Sequence, residues 1–414
     1  MGSSKKFVIV LSNYYIGGIE VLVERLSSVL QENYKVYIFI LTSKFDINLL
    51  KDLEKVATIY LPSDFIKFKL GHINIVGVNS VLPVVSKYRN LISKADYIHA
   101  TDSHTMVFIL SILSKIDSKN KFSIGNYHSE EYLWPSSWWF RKFEQKCIKE
   151  FAPENVFSEN KFMINKLAKA YGKKFLQSKE IPAGIHLPKI QNSETFQSRK
   201  NQLVCLGRLV KFKSYMEYVI KEIPKILIEF PDFEFHIYGD GPERENLRKL
   251  SKGLPVYFHG TIELNKISKA LSSFKLFIGS GTSILSASAM GIPSIIGIES
   301  CKSPITYGFL HETKGYDYQE LGLDYKTVPI SKKIIEGLKA SKEEYQTFCD
   351  LARKRSEEFC ITKTAKVLET TPSICVEKNF RWLERFRYLW SVFIWTLLNK
   401  LRILSSKTTR HYLE

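Results

Sequence analysis

Arg208 directly follows Gly207 at the end of the apolar run Leu203–Leu206, and Lys213 stands six residues after the glycine. That spacing lets both side chains converge on one point above a sheet edge. Two fixed cations there suit a diphosphate, whose charge grows as the bond to a departing sugar breaks. The same two residues would also serve as a solvated basic pair at a helix start, and spacing alone does not choose. Three more apolar runs end in similar turns. Tyr238-Gly239-Asp240-Gly241-Pro242 closes one with glycines and sets Pro at the start of a helix. Gly260-Thr261-Ile262 follows the next, and Gly279-Ser280-Gly281-Thr282 the one after. Four successive strand ends bearing Gly or hydroxyl residues read as a nucleotide cradle. Near the start, Gly17-Gly18-Ile19-Glu20 lies between a strand and a helix, where backbone amides and the helix dipole favour an anion. A plain tight turn explains that pair equally well. It is not the spaced G-x-G-x-x-G fingerprint, which counts against NAD or FAD.

Elements of one kind must hold these turns. Short apolar runs alternate with amphipathic stretches, the pattern of parallel sheets flanked by helices. Strands are predicted at Phe7–Leu11, Val36–Leu41, Thr58–Leu61, Tyr97–Ala100, Phe122–Ile124 and Asn155–Phe157. A second series follows at Leu203–Leu206, Phe233–Tyr238, Val256–His259, Leu276–Ile278 and Ser294–Ile296. Between them the pattern lapses into Pro, Gly, Asn, Ser and Gln, which marks a linker. The expected division is a Rossmann-like acceptor domain over 1–183, a linker over 184–200, a donor domain over 201–345 and C-terminal helices over 346–414. This is an α/β chain of two doubly wound halves facing a cleft, with ligands beyond the carboxyl ends of the strands.

Composition fits a soluble enzyme, with 44% hydrophobic and 25% charged residues in 414. The six cysteines, Cys147, Cys205, Cys301, Cys349, Cys360 and Cys375, lack any C-x-x-C pairing, which suits a reducing compartment. Lys5 and Lys6 lead straight into a strand, so no secretory signal is expected and the location is cytoplasmic. A net charge of +18 favours an anionic partner: phosphate, an acidic membrane or nucleic acid. No nucleic-acid-binding module is present, so nucleic acid is not expected as a partner.

The strings GRLVKFKS, YGDGPER, HGTI and GSGTSILSASAMGIPSIIG, in that order, resemble the donor-binding half of family-four glycosyltransferases. The GGIE turn and the linker position fit the same pattern, and the likeness is strongest to bacterial enzymes of capsule, lipopolysaccharide and exopolysaccharide synthesis. The resemblance implies a GT-B fold and retaining transfer of a sugar from a nucleotide diphosphate, usually UDP, with no essential metal or other cofactor. The absence of any Asp-x-Asp pair agrees on the metal. By match to the motif, Arg208 and Lys213 would hold the diphosphate and Gly241 would belong to the donor site. Gly18 would lie beneath the phosphates, Thr282 near the distal phosphate, and Thr261 and Ile262 would meet the base. One departure stands out. Ser286 occupies the place of a glutamate that accepts from the ribose, and the family's preceding glutamate is missing too. On the acceptor side His128, in Asn126-Tyr127-His128, matches a histidine that faces the sugar better than His104 does.

All six tryptophans fall in two segments, Trp134, Trp138 and Trp139, then Trp382, Trp390 and Trp395. The second surrounds an apolar run, Tyr388–Leu398, flanked by Arg381, Arg385, Arg387, Lys400 and Arg402. The run is too short to span a bilayer, which takes roughly 20 apolar residues, but suits the interface of an anionic membrane. Trp390, Trp395, Arg385 and Arg387 are the expected lipid contacts. A helix packed on the first domain is the competing account, and the two are compatible. The reading is therefore a cytoplasmic glycosyltransferase, peripheral on the inner membrane face, acting on a lipid-linked or glycan acceptor. A catalytically silent subunit of the same fold is the alternative, and a nucleotide-sugar epimerase the third.

Overall fold

Lys6–Leu11 (β1) is buried along almost its whole length, as a parallel strand covered by helices on both faces must be. The computed structural model describes residues 5–15, 17–67, 74–113, 120–128, 130–134, 137–188, 200–263, 266–373 and 382–401. It divides into two units, one formed by Met1–Ile181 with Ala365–Glu414, the other by Pro182–Thr364.

In the first unit, β1 is joined by Lys35–Ile40 (β2), Thr58–Tyr60 (β3), Tyr97–Ala100 (β4), Lys121–Asn126 (β5), Val156–Ser158 (β6) and Lys179–Glu180 (β7). They form one sheet in the order β3-β2-β1-β4-β5-β6-β7, every pairing parallel. The order reverses between β1 and β4. The core includes Val8, Val10, Phe39, Ile98, Phe108 and Phe122. The seventh strand was not anticipated, because two charged residues at a sheet edge carry no apolar signal.

The second unit contains Gln202–Leu206 (β8), Glu234–Tyr238 (β9), Val256–Gly260 (β10), Leu276–Gly279 (β11) and Ser294–Ile296 (β12). These also form an all-parallel sheet, in the order β10-β9-β8-β11-β12. Its order reverses between β8 and β11, and such a switch point opens a crevice at the carboxyl ends. The expected α/β fold of two doubly wound halves is what the chain adopts.

Two expectations about boundaries change. Most of the linker expected over 184–200 lies outside the described residues, but its first residues are part of the second unit. Ile185 is buried there, like Ala183 just before the expected linker, and Ile185 N donates to Phe359 O at 2.8 Å. Residues 346–414, expected as one run of helices, divide between the units at Ala365. The last described helix, Trp382–Lys400, packs on the first unit because Tyr388 and Val392 insert into its core.

Candidate functional site

Parallel pairing puts the carboxyl ends of β8 to β12 along one edge, so the turns expected to form the cradle share that edge. The turn after β8 is anchored by backbone bonds to the next strand end: Gly207 N to Tyr238 O at 3.0 Å and Leu209 N to Asp240 O at 2.9 Å. Gly239 (φ 135°) and Gly241 (φ 153°) are required by this packing. A Cβ at Gly239 would lie 1.9 Å from Gly207 O, and one at Gly241 would lie 2.4 Å from Leu209 O. Gly241, expected in the donor site, thus holds two of its turns together.

Lys213 folds back over the end of β8, its Nζ 2.9 Å from where a Cβ at Gly207 would sit. Arg208 is exposed on the same turn. The structure brings the two cations together, each within the other's field. Burial lowers the pKa of Lys213, Arg208 lowers it further, and the Glu299 carboxylate opposes both. On the other side of the switch point the helix Gly281–Ala289 begins directly after β11. Thr282 and Ser286, one turn apart, are half-buried on its accessible side, while Ile284, Leu285 and Ala287 face the core. The amide of Gly281 is taken by Gln319 Oε1. After β10, Thr261 is exposed and Ile262 half-buried.

Sequence reasoning missed Glu299, three residues past β12. Its Oε1 accepts from Ser280 Oγ at 2.7 Å, beside both cations. The available signal was its place just beyond the strand end, the same edge that made Arg208 a candidate.

In the first unit, Gly17 caps the helix Gly18–Leu30, and Glu20 reaches back so that its carboxylate lies 2.3 Å from a Cβ built on Gly17. Space beside Gly18 is open, with nothing within 4 Å of a Cβ there. His128 is exposed after β5; its Nδ1 accepts from Glu130 N at 3.2 Å and its ring lies 5.6 Å from that of Trp134. His104 is held differently, by Tyr388 Oη at 2.9 Å and Glu144 Oε1 at 3.1 Å. Arg141 donates to the other Glu144 oxygen at 2.6 Å and to Ser103 Oγ at 3.1 Å. His104 is thus a structural tie between helices.

The helix Trp382–Lys400 has two faces. Tyr388 is 0% exposed and Val392 3%, whereas Phe386 is 45%, Trp390 47% and Phe393 46% exposed. Trp390 and Arg387 lie on the open face, at a groove of about 530 Å³ that Trp138, Trp139, Phe386 and Ile394 also line. Two of the four expected lipid contacts are turned inward instead. Trp395 packs edge-on to Phe140, with ring centres 5.8 Å apart, and Arg385 donates to Ser111 O. Among the described residues, no helix is long and apolar enough to cross a membrane.

Residues 200–304 match the family model described as glycosyl transferases group 1, a stretch that contains all four strings on which the resemblance rests. Sulfoquinovosyl transferase SQD2 of Arabidopsis thaliana is 24% identical over 234 residues, 49% of this chain. The matched stretch spans 44% of that relative, less than half its length. Among solved structures, HepE of Anabaena, in complex with UDP and glucose, is similar with a TM-score of 0.59 at 13% identity. The likeness covers 89% of this chain and 99% of that one. The lipopolysaccharide outer core galactosyltransferase WaaB is similar with a TM-score of 0.56 at 16% identity, over 89% and 98%. The fold is therefore GT-B. Within it, the residues that match the group 1 glycosyl transferase model belong to the second unit.

Proposed function

We propose that the chain transfers a sugar from a nucleoside diphosphate donor, a UDP-sugar, to a lipid-linked or glycan acceptor at the inner membrane face. The observation that carries this is the placement of Arg208 and Lys213 at the β8–β11 switch point, opposite the start of the helix Gly281–Ala289. Negative charge grows on the departing diphosphate, and two fixed cations in a partly desolvated turn stabilise it more than they stabilise the bound donor. The relatives add support of the same kind. The HepE structure contains UDP and glucose, and WaaB is described as a lipopolysaccharide outer core galactosyltransferase. Retention of configuration and independence of metal follow from the family resemblance, so transfer should survive EDTA.

Calorimetric titration with UDP, GDP and inorganic pyrophosphate tests the reading directly. Saturable binding of UDP or GDP by the wild-type chain is expected, and its absence overturns the assignment. One residue favours a second reading. Ser286 offers a hydroxyl where the family resemblance places a carboxylate, which suits a silent subunit of the same fold. If Ser286→Glu and the wild type both bind no nucleotide, the silent subunit is the better account.

A further inference from the structure

The loop beyond β12 is built into the turn that carries the two cations. Ser300 N donates to Phe212 O at 2.6 Å, and Ser214 Oγ donates to Cys301 O at 2.8 Å. Lys213 therefore sits between two residues clamped to the loop that begins with Glu299. Ser300 adopts φ 56°, a left-handed conformation that a residue with a side chain seldom takes unless its surroundings impose it. Glu299 itself is fixed on two more sides. Its amide donates to Gln319 O at 2.8 Å, and its Oε1 accepts from Ser280 Oγ, one residue before the helix Gly281–Ala289. One oxygen of this carboxylate is thus occupied, and among the described residues Oε2 has no hydrogen-bond donor.

A carboxylate is a poor neighbour for a diphosphate, since like charges at close range repel. Its clamped position beside an anion-fitting pair of cations makes sense for a ligand that brings hydroxyl donors as well as phosphates. Every nucleoside diphosphate sugar does so, on the pentose of its nucleoside and on the sugar to be transferred. A partly buried carboxylate with one open oxygen accepts such a hydroxyl in a charge-assisted bond. Burial raises the pKa of Glu299 and outweighs the Ser280 hydrogen bond, Lys213 and Arg208, which lower it.

We propose that Glu299 is a donor-binding residue that accepts a hydrogen bond from a ring hydroxyl of the nucleotide sugar through Oε2. It would supply the carboxylate that Ser286 does not. The inference rests on the donor-site reading above.

The test is calorimetric titration of wild type, Glu299→Gln and Glu299→Ala with pyrophosphate, UDP, 2′,3′-dideoxy-UDP and UDP-glucose, beside a thermal unfolding check on each variant. The glutamine variant keeps an acceptor for Ser280 and so preserves the loop if alanine does not. If the hydroxyl is on the ribose, the wild type prefers UDP to its dideoxy analogue by about tenfold, and Glu299→Ala erases the preference. If it is on the hexose, Glu299→Ala leaves UDP unchanged and weakens UDP-glucose by about tenfold. In either case Glu299→Gln falls between the two. Pyrophosphate affinity that shifts as much as UDP affinity would make Glu299 a mere counter-charge to Lys213 and overturn the proposal. Unchanged binding of every ligand in a folded variant overturns it as well. Wild type that binds neither UDP nor pyrophosphate instead defeats the donor-site reading, and this proposal falls with it.

Discussion

Residue type and spacing suggested that Arg208 and Lys213 converge but left a solvated basic pair open, and the fold adds the turn that brings them together. Arg208→Ala and Lys213→Ala should each lower transfer by at least about tenfold in a steady-state assay, since one charge-assisted contact is worth about 1.5–3 kcal/mol. Arg208 is exposed, so its variant should unfold at the wild-type temperature. Glu299 was not legible, since a glutamate in a Gly-Ile-Glu-Ser run has the composition of a solvated loop. Only the fold reveals that the loop is clamped beside Lys213. Glu131 was equally hidden. Burial raises its pKa to about 7, Asp102 pushes the same way, and Arg141 and Ser103 oppose them. Between pH 4.5, its ordinary value, and about 7, the unfolded chain has released a proton that the folded chain still holds. Stability from this group is therefore fullest below pH 4.5 and is lost as pH rises to 7. Chemical denaturation across that window should show the loss in wild type and a flatter profile in Glu131→Gln, whose side chain can still accept from Ser103 N. An identical slope in the variant would assign the dependence to other groups.

At the scale of elements, eleven of the twelve parallel strands among the described residues could be read from apolar runs, the central ones most plainly, because a strand buried on both faces has no polar side to disguise it. The glycine-rich turns were also visible, but not their reason. Gly239 and Gly241 serve turn-to-turn packing that depends on the neighbour order β9-β8, which no local pattern encodes. The C-terminal helix was visible as an apolar run, while its inward hold depended on polar partners far away in sequence. Tyr388 Oη donates to Glu144 Oε1 at 2.6 Å. Burial alone would raise the Glu144 carboxyl, yet Arg141, His104 and Tyr388 outweigh it and hold the pKa down to about 2. Tyr388→Phe should cost about 1–3 kcal/mol, the penalty of leaving a buried acceptor short of a donor. A shift of the urea midpoint with an unchanged slope would show it. No shift would mean that His104 and Arg141 satisfy Glu144 by themselves.

For the whole molecule, the question is what covers the outer face of that same helix. Leu383, Phe386, Trp390, Phe393, Leu397 and Leu401 are all exposed, spaced three or four residues apart along one side. A soluble monomer seldom shows so continuous an apolar stripe. Nineteen residues make a helix of roughly 28 Å, but its opposite side belongs to the protein core, so it lies on a surface and does not enter one end-on. Exposed Arg387 and Lys400 flank the stripe, and the chain carries a net charge of +18. Aromatic residues at headgroup depth with basic neighbours are the features of an interfacial helix, each basic residue adding about 1 kcal/mol near an anionic surface. The full chain should therefore sediment with vesicles of anionic phospholipid, less so at high salt, and not with neutral ones. Deleting the helix would be a poor test, because it strips Tyr388 and Val392 from the first unit's core. The triple variant Phe386→Ser, Trp390→Ser, Phe393→Ser leaves that inner side untouched and should release the protein while its melting temperature holds. If the wild type ignores anionic vesicles and the triple variant instead turns a dimer into a monomer in light scattering, a second copy of the chain covers the stripe and membrane docking is wrong.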